Sequence, residues 1–185
     1  MEEVLVLIII IILTFGIGVE DISFPDILEK DDVSVEEDKV TGNEEIEEET
    51  DTKDLNKIFQ DSVTGNSRIN LNSDEGNIRC FFKNSIDGNA KINVNSSKGN
   101  IYLKFFDRIT GNVTINVNSY KGNIHLLFKD KLLGNGKIYL ESSRGDIYLY
   151  NGRNTVNKYN ISIGAGNIIY KNENYFRKSW SERRD

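Results

Sequence analysis

The chain has 185 residues, of which 28% are charged and 38% are hydrophobic, and it contains a single cysteine and a single histidine. One cysteine cannot close an intramolecular disulfide or build a thiolate zinc site, and one histidine cannot form a multi-histidine metal centre. The composition therefore argues against a zinc hydrolase. The net charge of −6 is unevenly distributed, because residues 1–61 carry 4 basic and 19 acidic side chains whereas residues 62–185 carry 19 basic and 10 acidic ones. An acidic part is followed by a basic part.

The first nineteen residues predict a signal peptide or a membrane anchor. Residues 4–19 are uncharged and mostly apolar. As a helix they would span about 24 Å, short of the ~30 Å hydrocarbon core, so both readings stay open. Gly16 and Gly18 fit a cleavage after Gly18, but Glu2 and Glu3 replace the usual basic residues and give no orientation. We expect an exported protein, either anchored in the membrane by residues 4–19 or secreted after cleavage near Gly18.

Residues 20–61 predict an acidic, disordered spacer. They hold 17 acidic and 4 basic side chains and few apolar ones. Such a segment cannot bury enough apolar surface to offset its ordering entropy, and its like charges extend it. An alternative is an acidic arm that folds back on the basic half or sequesters cations.

The basic part is organised by a repeat of 23 residues. Two interleaved series of glycines, each followed by Asn or Asp, recur at this interval. A repeat at one long fixed period predicts a stack of similar structural units. The first series is Gly65, Gly88, Gly111 and Gly134, and the second is Gly76, Gly99, Gly122 and Gly145.

Apolar residues keep the same register and alternate with polar ones. In Lys91-Ile92-Asn93-Val94-Asn95 the period is two, which predicts a strand with one buried face. A chain that returns to the same place every 23 residues predicts an all-β fold, a parallel β-solenoid coiled from a single chain, with like residues stacked inside. We expect glycine at each corner because the turn requires unusual φ values. A further apolar row lies in the predicted loop: Val63, Ile86, Ile109 and Leu132.

The solenoid is predicted over residues 62–170, with less regular turns at both ends. Gly42, Leu55 and Phe59 lie on the same 23-residue grid, so a degenerate first turn is expected from residue 42 within the acidic spacer. Near the other end, Gly166 follows Gly145 by only 21 residues, which predicts a shortened turn. Residues 171–185 are expected to form a C-terminal cap or tail.

A basic and aromatic stripe is the main candidate binding surface. It combines two rows: one on the strands, between inward-facing residues and therefore facing outward, and one of basic residues in the turns. Aromatic rings stack on sugars or bases, and cations attract phosphates and other anions. Exposed Tyr and Arg are also common on strands for their β propensity and charge, so the stripe also fits a plain surface. The stripe consists of Arg79, Tyr102, His125 and Tyr148 together with Lys98, Lys121 and Arg144.

The remaining rows predict structural roles. Asn72, Asn95 and Asn118 favour an amide ladder on the outside, with a row of serines beginning at Ser73 beside it. Cys80 occupies a leucine position and predicts a buried small side chain. We expect no catalytic, cofactor-binding or metal-binding residues and no cofactor.

The glycine corners resemble a known family. The sequences at Gly76-Asn77-Ile78, Gly99-Asn100-Ile101 and Gly145-Asp146-Ile147 are similar to those of prokaryotic adhesin-like β-helix domains of the autotransporter-adhesin-head type. The similarity covers about residues 62–170. It implies an envelope-associated β-helix that mediates adhesion or interaction, and it implies no catalytic residues. The asparagine-rich corners and the acidic spacer depart from the family pattern.

Three functions remain open at this stage. The first is a non-enzymatic surface or envelope module that binds an anionic or glycan polymer. The second is a structural solenoid that self-assembles end to end, which would make the protein a homo-oligomer. The third is an enzyme acting on polysaccharide, for which Asp107 and Asp130 on neighbouring turns are the only candidates. Nucleic acid is not an expected partner, because it does not suit an exported location. Residues 4–19 are expected to associate with a membrane.

Overall fold

A computed structural model describes residues 40–151 and 159–172. In these residues the chain winds into an all-β parallel solenoid of about five turns, without a helix. The predicted leader, residues 20–39 of the predicted spacer and residues 173–185 lie outside the described residues. The solenoid class predicted from the repeat is confirmed.

Three parallel sheets surround one core, and their strands are as follows. Sheet 1 contains β1 (Glu45–Thr50), β4 (Arg68–Ser73), β7 (Lys91–Ser96), β10 (Thr114–Ser119), β12 (Lys137–Ser142) and β14 (Tyr159–Ile163). Sheet 2 contains β2 (Leu55–Phe59), β5 (Ile78–Phe82), β8 (Ile101–Phe105), β11 (Ile124–Phe128), β13 (Ile147–Asn151) and β15 (Ile168–Asn172). Sheet 3 contains β3 (Val63–Gly65), β6 (Ile86–Gly88) and β9 (Ile109–Gly111).

The strand register follows the sequence repeat. Ile69 pairs with Ile92, and Ile92 pairs with Ile115, each 23 residues further on. β1 pairs with β4 at the same offset, which confirms the first turn expected from residue 42. At the other end Ile147 pairs with Ile168, an offset of 21 residues, as the shortened spacing predicts.

The apolar row that we predicted in the loop forms a third sheet. Val63 pairs with Ile86 and Ile86 with Ile109, and the row ends in an isolated bridge from Ile109 to Leu132. These strands are only three residues long, which is why alternation did not reveal them. All four residues are buried, so the loop side also encloses the core.

Like side chains stack along the core. The rings of Phe59, Phe82, Phe105 and Phe128 follow one another at 4.7, 4.9 and 4.8 Å, with planes inclined by 9° or less. Stacked rings add about 0.5–1.5 kcal/mol per pair to the burial of their apolar area. Cys80 is buried among the leucines as predicted, and burial raises the pKa of its thiol.

The two glycine series are required for different reasons. Gly111 has a φ of +89°, in the left-handed region that favours glycine. Gly99 has no positive φ, but a Cβ there would lie 1.9 Å from the carbonyl oxygen of Gly76 in the preceding turn. The expectation that φ explains both series is therefore wrong for the second one, where the close approach of neighbouring turns excludes any side chain.

Candidate functional site

The corner between sheet 1 and sheet 2 carries a row of exposed cations. Lys98, Lys121 and Arg144 occupy the same position in consecutive turns, and all three are exposed. Glu75 continues the row and forms an ion pair with Lys98. The hydrogen bond between them lowers the pKa of Glu75 and raises that of Lys98. These three basic members of the predicted stripe therefore lie on the surface.

Tyr120 lies beside these cations and is not among the residues predicted for the stripe. Its side chain is 51% exposed. The guanidinium carbon of Arg144 is 5.6 Å from the centre of its ring, and Nζ of Lys121 is 6.0 Å from it. Tyr120 replaces the small Ser97 of the preceding turn, and this change within a repeat row was the signal available in the sequence. A flat ring flanked by two cations suits a sugar that carries negative charge.

A polar groove on sheet 1 adjoins this corner. It is lined mainly by asparagine, serine and acidic residues, and Tyr120 is part of the lining. Nδ2 of Asn95 donates to Oδ1 of Asn72, and Nδ2 of Asn118 donates to Oδ1 of Asn95, both at 2.9 Å. The predicted amide ladder is confirmed. A second ladder of the same kind joins Asn70, Asn93 and Asn116.

The serine row that we placed outside is buried. The exposed fractions of Ser96, Ser119 and Ser142 are 5%, 3% and 0%. Oγ of Ser119 accepts a hydrogen bond of 2.9 Å from the backbone N–H of Gly122. Oγ of Ser142 donates to a backbone carbonyl in the same corner. These hydroxyls satisfy corner backbone groups and are not available to a ligand.

The other half of the predicted stripe forms a continuous stack on the outer side of sheet 2. The ring centres of Tyr102 and His125 are 4.7 Å apart and those of His125 and Tyr148 are 4.5 Å apart. Arg79 continues the stack over Tyr102. His125 is only 5% exposed and Tyr148 only 8%. The expectation of an accessible surface is therefore wrong for these two residues, and His125 is not a surface histidine.

Arg79 is engaged in a local ion pair. Its Nη1 lies 2.6 Å from Oδ2 of Asp54 in the first turn. Burial alone would raise the pKa of Asp54, but hydrogen bonds from Arg79 and Asn77 outweigh burial and lower it. Arg79 therefore holds neighbouring turns together and is not presented as the binding cation that we predicted.

A buried charge lies at the first turn. Lys57 pairs with Cys80 in sheet 2, so its side chain enters the core row, where it is 5% exposed. Its Nζ lies 2.6 Å from Oε1 of Glu48 on β1. The 23-residue spacing between Lys57 and Cys80 is the sequence signal for this inward position.

The two aspartates considered for catalysis, Asp107 and Asp130, each bind the backbone of the turn in which they lie. Asp107 accepts a hydrogen bond of 2.7 Å from the backbone N–H of Arg108, and Asp130 accepts one of 2.7 Å from that of Lys131. In residues 40–151 and 159–172, no group of three or more His, Cys, Asp and Glu side chains could hold a metal ion. The site is thus a surface of amides, carboxylates and cations beside the exposed ring of Tyr120.

No family model, curated protein or solved structure matches this chain. Within the described part of the chain, no helix is long and apolar enough to cross a membrane. The predicted leader at residues 4–19 lies outside that part.

Proposed function

We propose that this protein is a non-enzymatic, adhesin-like β-helix module of the cell envelope or cell surface that binds an anionic or glycan polymer. The observation that carries the proposal is the exposed corner at which Lys121 and Arg144 flank Tyr120, beside Lys98, which is paired with Glu75. The resemblance of the glycine corners to adhesin-like domains supports the same function. The apolar residues 4–19 support an exported location.

The repeat spacing favours an extended polymer over a small ligand. Equivalent residues of neighbouring turns lie about 4.8 Å apart along the coil, so the cations form a line. A polymer lying along this line would present its charges to successive turns. An acidic glycan fits best, because its carboxylates or sulfates would bind the cations while a sugar face stacks on Tyr120.

Two observations weigh against the other functions. The carboxylates of Asp107 and Asp130 bind turn backbone, which is a structural use of both groups. The ion pair of Lys57 and Glu48 puts charges where a second solenoid would have to pack its apolar core. End-to-end filaments through the first turn are therefore disfavoured.

Polymer binding is tested with two double charge reversals. Lys121→Glu with Arg144→Glu changes the corner, whereas Lys91→Glu with Lys137→Glu makes the same change in charge at exposed positions elsewhere on sheet 1. Charge-assisted hydrogen bonds contribute about 1.5–3 kcal/mol each, so the affinity of the first variant for a sulfated or uronic polysaccharide should fall more than about tenfold. The control should lose far less. Equal losses in both variants would refute a specific corner site, and no binding by the wild type at low salt would refute the function.

Export is tested separately. Mass spectrometry of the native N-terminus combined with membrane fractionation should find either a chain that begins at Val19 outside the cell or an intact chain in the membrane. An intact chain in the cytoplasm would refute the envelope location.

A further inference from the structure

The last turn leaves inward-facing side chains exposed. Ile168 pairs with Ile147 and Tyr170 pairs with Leu149, so both belong to rows that fill the core. Ile147 and Leu149 are fully buried, whereas Ile168 is 37% exposed and Tyr170 is 60% exposed. The apolar core therefore reaches solvent at the end of the coil formed by β14 and β15.

This end also presents strand edges with few protective charges. Among the strands of the described residues, β14 pairs with β12 alone and β15 pairs with β13 alone. Residues 159–170 contain no charged side chain and Lys171 is the one charged residue of β14 and β15, although 28% of the whole chain is charged. Natural edge strands usually carry charges that prevent pairing with another chain. Lys171 alone gives the last turn this protection, and β14 has none.

The first turn has the opposite character. Its inward side chains Phe59 and Lys57 are 0% and 5% exposed, so they offer no apolar surface. Residues 41–61 carry eight acidic and two basic side chains. Two first turns would repel each other, and a first turn packed on a last turn would have to desolvate carboxylates.

We propose that the last turn docks against the last turn of a second copy of this chain. A filament needs a contact between the first turn of one copy and the last turn of the next, and the two ends are too different in charge and exposure for that contact. A contact that uses the same surface on both copies is related by a twofold axis and closes at two copies. The result is an end-to-end dimer, and this proposal does not depend on polymer binding.

Sedimentation velocity of the full chain over a range of concentrations tests the dimer. The measurement is made in mild non-ionic detergent, which solvates the apolar residues 4–19. Ile168→Glu places a carboxylate at the contact and should raise the dimer Kd at least about tenfold. Tyr139→Glu is the matched control, because Tyr139 is 38% exposed on the outside of sheet 1. It should leave the dimer unchanged.

Tyr170→Ser is a second variant for the case that Ile168→Glu fails to fold. At 60% exposure Tyr170 contributes little to the fold, so its loss should weaken the dimer and leave the circular dichroism spectrum unchanged. A wild-type chain that is monomeric at every concentration would overturn the proposal. So would species larger than dimers, or a folded variant at position 168 or 170 that dimerises as well as the wild type.

Discussion

Gly99→Ala should be one of the most destabilising single-methyl additions in this molecule. The new Cβ would lie 1.9 Å from the carbonyl oxygen of Gly76, whereas real Cβ contacts stay at 3.0 Å or more. Because the neighbour is backbone, the preceding turn has to move by about 1 Å against a turn spacing of about 4.8 Å. Such a movement breaks two or three inter-turn hydrogen bonds of about 1 kcal/mol each and adds an overpacking cost of about 1–3 kcal/mol. We expect a total loss of about 3–6 kcal/mol.

Gly42→Ala is the control, because it separates backbone conformation from space. Gly42 has a φ of +85° and no atom within 4 Å of the added Cβ. Its substitution should cost only the left-handed conformation, about 1–2 kcal/mol, and Gly42→Asn should recover part of that loss.

Equilibrium urea unfolding followed by far-UV circular dichroism measures both effects. Midpoints and slopes have to be compared together, because stacked turns need not unfold in one step. A free energy of unfolding of Gly99→Ala within about 1 kcal/mol of the wild-type value would refute the steric role of Gly99. So would a larger loss of stability in Gly42→Ala than in Gly99→Ala.

Three further outcomes are expected. Asn93→Ala removes two amide ladder bonds and should lower the free energy of unfolding by about 1–3 kcal/mol in the same assay; an unchanged midpoint would show that the ladder is not stabilising. The hydrogen bond from Thr110 lowers the pKa of Asp87 in the folded protein. The ionised Asp87 side chain therefore stabilises the fold fully above the pKa of the unfolded chain, about 3.9, and this contribution is lost as the pH falls through the lower pKa of the folded state. Asp87→Asn should therefore flatten the loss of stability in acid, and an unaltered pH profile would contradict this. Lys57→Met should lower the free energy of unfolding by about 1–3 kcal/mol, because the Glu48 carboxylate left behind is still partly hydrated. Adding Glu48→Leu should restore the stability and promote association through the first turn, which sedimentation would detect. A double variant no more stable than the single variant would refute the pairing.

The sequence predicts the coil and its register well because each residue contacts the residue 23 positions away. A position that faces the core in one turn faces it in all turns, so Ile69, Ile92 and Ile115 reveal one another. The same grid correctly predicted the first turn and the shortened last turn. Sheet 3 was missed as a sheet because three residues are too short for alternation to appear.

Accessibility could not be predicted in the same way. Alternation tells which side of a sheet a residue faces, and His125 does face away from the core, but it does not tell how much of the side chain neighbouring groups cover. Ser73 has the parity of Ile69 and Leu71, which face the core, whereas the polarity of serine favours the outside. The partner of its hydroxyl is a corner carbonyl of Gly76, and sequence does not show where that carbonyl points.

The constant register also has an evolutionary consequence. Since each middle turn contacts its neighbours through the same rows, an in-frame duplication of one 23-residue unit would recreate every ladder and stack at the new junctions. The acidic first turn and the last turn with its exposed Ile168 and Tyr170 would stay where they are. Each such duplication would lengthen the solenoid and its line of surface groups by one turn, about 4.8 Å. The length of the binding surface can therefore evolve one turn at a time, without a new interface between turns.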